Sequence, residues 1–181
     1  MTWLALFLPR LACDRLIRCG RACADQPLAV YAKQANAYVL TGVDARAAAL
    51  GLHAGQAPAD ARAIHPALAC VEAEPEADAA ALDAIAAWCE RFTPVVALDA
   101  PDGLFLDISG CGHLFGGDGP LRDEVVTRLA AQGFAVRAAI AATPGAAWGL
   151  ARTSPLAGEV ASEREPEGGR ADTQAPACLH A

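Results

Sequence analysis

The chain has 181 residues, 54% of them hydrophobic, enough for one large or two small domains with a packed core. Its 21 acidic and 14 basic residues give a net charge of −7, which argues against an autonomous nucleic-acid binder with the usual basic surplus. No apolar run reaches the ~18 residues of a membrane-spanning helix.

The first apolar run, Trp3–Leu8, has the length of a buried strand, and Pro9 ends it. No basic segment precedes it and it is short, which argues against a signal peptide and for a cytoplasmic protein without a membrane partner. Leu11, Cys13, Leu16 and Ile17 then suit a short helix running to about Cys23. Arg10, Arg15, Arg18 and Arg21 along it read as a solvated basic face. Leu28–Tyr31 and Ala37–Thr41 predict a strand pair around Lys33–Asn36. Asp44 is placed to cap an alanine-rich helix, Ala45–Leu50, that Gly51 closes. Pro58 suits the first turn of another helix, which stops before Pro66, and Leu68–Val71 is a candidate strand.

Glu72–Asp78 reads as an acidic connector, and Leu82, Ile85 and Cys89 recur beyond it at helical spacing. Val95–Leu98 and Leu104–Ile108 are strands joined by a tight acidic turn. Gly110–Gly119 lacks the Gly-x-x-x-x-Gly-Lys-Ser/Thr pattern, so it reads as a flexible connection rather than a phosphate cradle. Leu121, Val125 and Leu129 mark a helix closed by Gly133, Phe134–Ala141 is another buried strand, and Thr143-Pro144 opens a last helix.

The outer elements follow the split β-α-β-β-α-β order of a ferredoxin-like sheet. The expected fold is α+β: one domain from residues 1–24 and 73–152, with residues 25–72 inserted as a small lobe. From about residue 153 periodicity fades and large apolar residues become few, so 153–181 is expected to be a disordered tail outside the fold. That tail resembles translated intergenic repeat sequence, which implies a reading frame that has run off a truncated domain. The seven cysteines are odd in number, irregular in spacing and without a Cys-x-x-Cys pair. Buried reduced thiols are therefore expected in place of zinc ligands, Cys111 and His113 having no second pair to match.

Asp99, Asp102 and Asp107 lie within nine residues on the acidic hairpin, a type of scaffold that can carry a two-metal site. Asp99 and Asp102 are three residues apart, so extended geometry turns their side chains to opposite faces. Asp99 and Asp107 fit turn and edge polarity.

Several segments, in order, resemble the N-terminal part of a Y-family (UmuC/DinB-type) DNA polymerase, and more closely its ImuB-like, non-catalytic branch. They include Trp3–Arg10, Val43–Leu52, Arg91-Phe92-Thr93-Pro94, Gly103–Ile108, Gly110–Gly117 and Ala141–Trp148. The resemblance implies that the outer strands form a palm and the inserted lobe forms fingers. Active relatives place a first carboxylate at the end of strand one, which here falls near Phe7. Their Ser-Ile-Asp-Glu sequence sets its Asp on Asp102 and its Glu on Gly103. One of three metal-binding carboxylates is retained, so no catalytic residue set is intact and Asp102 is vestigial. The fingers tyrosine and arginine that grip the triphosphate fall on Ala45–Ala48, with Arg46 as a candidate displaced nucleotide contact. The Asn-Lys pair after the last palm strand is replaced by Thr143-Pro144-Gly145.

By resemblance this is a truncated, catalytically inactive homologue without a cofactor, acting as an accessory or bridging protein in DNA repair, translesion synthesis and SOS mutagenesis. The partners implied are damaged DNA, an error-prone polymerase, a RecA-like accessory protein and the sliding clamp. One alternative is an active low-fidelity DNA-directed DNA polymerase that uses Mg²⁺ at Asp99, Asp102 and Asp107. Another is an unrelated ferredoxin-like binding module.

Overall fold

A computed structural model describes residues 1–156. Two sheets carry the fold. The first has the strand order β5-β6-β1-β7, from β1 (Trp3–Phe7), β5 (Val96–Asp99), β6 (Gly103–Asp107) and β7 (Arg137–Ala141), all neighbours antiparallel. With α4 (Pro75–Cys89) and α5 (Asp118–Ala131) as crossovers, this is the expected ferredoxin-like order. The second sheet has the order β3-β2-β4, from β2 (Leu28–Gln34), β3 (Ala37–Val43) and β4 (Ala69–Glu72).

Alternation along β1 builds the first core. Leu4, Leu6 and Leu8 point to one side and join Leu104, Leu106 and Val136 under α4 and α5. Each helix presents a buried stripe, Leu82, Ile85 and Cys89 on α4 and Leu121, Val125 and Leu129 on α5. On the opposite side Ala5 and Ala139 meet Ala147 and Ala151 of α6 (Pro144–Thr153). These small side chains let α6 lie close on the strands. Thr143 caps α6 by accepting from the Ala146 amide at 3.3 Å. Leu156, beyond α6, is 3% exposed.

The second sheet lies between helices. α1 (Leu11–Arg18) sets Cys13 and Leu16 on Leu28 and Val30. On the other face α2 (Ala45–Ala49) and α3 (Pro58–Ile64) place Ala47 and Ala61 on Ala29 and Leu40. Asp44 caps α2 through the Ala47 amide at 2.8 Å and also accepts from the Leu28 amide at 3.1 Å. The hairpin turn at Ala35-Asn36 holds Ala35 at a positive φ of 53°.

Several boundaries differ from the sequence reading. α1 stops at Arg18 rather than about Cys23, with Gly20 left-handed just beyond it. The acidic connector is helical from Pro75, whose fixed φ suits the first turn of α4. The glycine-rich connection contains a 3₁₀ turn, Gly112–Phe115, and α5 begins within it at Asp118. Gly112 is packed tightly, since a Cβ there would sit 2.1 Å from Asp118 Oδ1. Cys13 and Cys89 are buried, and burial pushes each thiol up to about 12, but Cys19 and Cys23 beyond α1 are exposed. Cys178 lies outside the described residues.

The arginines of α1 are not all a solvated face either. Arg15 has a 13% exposed side chain and pairs with Asp78 at 2.6 Å and Glu74 at 3.2 Å, and Arg21 also pairs with Glu74. Asp14, 9% exposed, accepts from the Ala135 amide at 2.7 Å. One short helix thus fastens both sheets and α4.

Burial raises the Asp14 carboxyl to about 6, against the weaker opposing pull of the Ala135 amide. Its folded-state value lies above the unfolded one, so the charged form destabilises the fold. That cost is absent below about pH 4 and develops as pH rises to about 6. Asp14→Asn keeps an oxygen for Ala135. Chemical denaturation should find the variant more stable than the parent by about 1–3 kcal/mol at pH 7.5, with the gap closing towards pH 4.5.

Candidate active-site remnant in the first sheet

Antiparallel register sets four residues in one row across the first sheet. Asp99 pairs with Gly103, Gly103 with Phe7, and Phe7 with Arg137. Alternation turns this row towards the α6 side, away from the leucine core. Asp102 precedes the row at the hairpin turn, where its carbonyl accepts from the Leu8 amide at 2.8 Å. It also lines a cleft of about 220 Å³ that Arg10 and Thr41 share, at the junction of the two sheets.

α6 roofs the row with residues four apart, which share one helix face. The Arg152 guanidinium lies 4.3 Å from the Phe7 ring centre and 4.1 Å from that of Trp148. Its Nη2 is 3.6 Å from Asp102 Oδ1. Trp148 Nε1 donates to Asp99 Oδ2 at 2.5 Å. Arg137 Nη1 donates to the Arg152 carbonyl at 2.8 Å. Burial raises the Asp102 carboxyl above its ordinary value, Arg152 opposes that shift, and Asp99 adds to it.

The three hairpin carboxylates do not converge. Asp99 and Asp102 flank Gly103, but Asp107 pairs with Trp3 at the other end of β6, roughly 13 Å along the strand from Gly103. Asp107 accepts from the Ser109 amide at 2.9 Å, and Ser109 holds its carboxyl below the ordinary range. Arg46 reaches Asp25 at 3.4 Å from α2, on the face of the second sheet opposite α1. Among the described residues no group of three His, Cys, Asp or Glu side chains is placed to hold a metal ion.

Divalent ions need converging oxygens with surplus negative charge. Here Asp102 meets Arg152, Asp99 accepts from Trp148, and the row between Asp99 and Arg137 contributes a glycine and an aromatic ring. The residues present therefore do not fit a two-metal centre. Gly103 is also constrained, since a Cβ would lie 3.0 Å from the Asp99 carbonyl oxygen and 3.1 Å from Asp99 Cβ. Sequence reasoning did not single out Arg137, Trp148 or Arg152. The signal for the last two was their i, i+4 spacing on a helix that returns over β1.

An antiparallel palm sheet with a second, helix-flanked sheet beside it is the architecture of the Y-family polymerase catalytic core. The profile of the impB/mucB/samB family matches residues 17–152, and the chain belongs to that family. It is 53% identical over 106 residues to Protein ImuB of two strains of Caulobacter vibrioides, a match covering 59% of this chain and 23% of that protein. The chain thus matches about a quarter of the length of these relatives. Among solved structures, a post-insertion binary complex of Dbh DNA polymerase matches with a TM-score of 0.71 and 15% identity, over 86% of this chain and 46% of that one. DinB from Sulfolobus solfataricus matches with a TM-score of 0.65 and 16% identity over the same shares. At these identities the likeness shows the fold.

Two measurements probe the remnant. Gly103→Ala should lower stability by about 1–3 kcal/mol in urea denaturation, because Asp99 is tied to Trp148 and cannot move aside freely. Arg152→Gln should shift the Asp102 titration to higher pH, read by carboxyl-carbon NMR, since it removes the charge that opposes burial.

Proposed function

We propose that this chain is a non-catalytic Y-family homologue that serves DNA-damage tolerance as an accessory or bridging component. The observation that carries this reading is the Asp99–Gly103–Phe7–Arg137 row under Arg152. Phosphoryl transfer between nucleotides requires two ions held ~3.5–4 Å apart by converging oxygens. Beside this row the Arg152 guanidinium lies 3.6 Å from Asp102, Phe7 and Gly103 supply no carboxylate, and the Asp99 carboxylate is taken up by Trp148.

The likeness to ImuB supports a role in the same process. The partners we propose are damaged DNA, an error-prone polymerase, a RecA-like accessory protein and the sliding clamp, engaged by the longer architecture of the family. Asp102 is then a remnant that anchors α6 rather than a metal ligand.

Primer extension with Mg²⁺ or Mn²⁺ tests the reading. No incorporation above the protein-free background is expected for the chain or for Asp102→Ala. Incorporation that Asp102→Ala abolishes would sink the proposal and establish an active polymerase.

A further inference from the structure

On the face of the first sheet opposite the Asp102 remnant, α1, α4 and the end of α5 enclose a groove of about 360 Å³. Its floor is apolar, formed by Ala84, Ile85, Trp88 and Phe134. The charged side chains lining it are Arg15 and Arg18, and no carboxylate does, in a chain with seven more acids than bases.

The two arginines play different parts. Arg15 is engaged by Asp78 and Glu74 and braces the wall. Arg18 pairs with no carboxylate among the described residues. Its guanidinium lies 4.6 Å from the Phe134 ring centre, and its stem packs along Gly133, where an added Cβ would stand 3.6 Å from Arg18 Cγ. Trp88 carries Arg91 on its ring at 4.7 Å, and Arg91 likewise has no carboxylate partner among the described residues. Among the described residues Arg18 is thus the one lining guanidinium without a counter-charge, held at an aromatic ring, and Arg91 lies outside the lining on the ring of Trp88.

We propose that this groove docks an acidic peptide segment of a partner protein, with one large apolar side chain seated against Ala84 and Trp88 and a flanking carboxylate meeting Arg18. Its volume suits one or two side chains rather than a folded surface. Nucleic acid fits less well, since backbone binding draws on a long cationic track and this groove offers Arg18 alone as an uncompensated cation over an apolar floor. The remnant and the groove lie on opposite sides of the sheet, so the proposal stands whether or not the remnant is catalytically silent.

The test uses the 181-residue chain and a fluorescein-labelled peptide with a central Leu-Phe pair flanked by aspartates, followed by fluorescence polarisation. Saturable binding is expected. Arg18→Glu should weaken it at least about tenfold, while Arg122→Glu, outside the groove, should leave it unchanged. Ala84→Glu, an exposed position on the floor, is the second variant and should also weaken binding. A peptide with glycines in place of the Leu-Phe pair should bind at least about tenfold more weakly. Equal affinity for the two peptides, insensitivity to both groove variants, or equal weakening by Arg122→Glu would overturn the proposal. So would a duplex DNA oligonucleotide that displaces the peptide and itself depends on Arg18.

Discussion

The structure depends first on the register of β1. This strand pairs antiparallel with β6 on one side and β7 on the other, so each of its residues has two fixed cross-strand neighbours. A slip of one residue would move Leu4 and Leu6 out of the core and bring Ala5 and Phe7 into it. The leucine core therefore holds the register, and the register places Phe7 between Gly103 and Arg137. Core packing and the identity of the remnant row follow from one constraint.

α1 is the second constraint. It has eight residues, too few for a stable isolated helix, and gains its stability from what it packs against. Cys13 and Leu16 meet the second sheet, Leu11 joins the core of the first, Asp14 accepts from the approach to β7, and Arg15 pairs with the start of α4. The acids Glu74 and Asp78, which look in isolation like a solvated connector, are partners to this helix. A partly desolvated arginine with two carboxylate contacts is better defined than an exposed surface pair.

Much of this architecture was legible in the sequence. Trp3–Leu8, the Val95–Ile108 hairpin and the Leu121-Val125-Leu129 stripe announced the order of the first sheet, because alternation and helical spacing are local properties. Asp44, Gly51 and Thr143 marked helix ends by cap chemistry that also needs only local sequence. Partnership was not legible. Nothing near Arg152 states that α6 returns over β1 to set it between Phe7 and Trp148. Asp99 and Asp107 looked equivalent on the hairpin, yet the fold sets one beside Trp148 and the other at the far end of β6. The helical start at Pro75 lay hidden under the charge of the segment, although proline at a first turn was a readable signal.

The Asp99–Gly103–Phe7–Arg137 row also bears on how the sheet holds α6. Converging carboxylates repel one another unless cations neutralise them, so an acidic two-metal site destabilises its own scaffold in the absence of metal. The contacts around this row are of the opposite kind. Phe7 gives Arg152 an aromatic face, Asp102 gives it a counter-charge, and Trp148 ties Asp99 to α6. Arg137 adds a backbone tether across the same row. These contacts join α6 to β5, to the β5–β6 turn, to β1 and to β7. The row therefore serves as a joint that holds α6 against this face of the sheet.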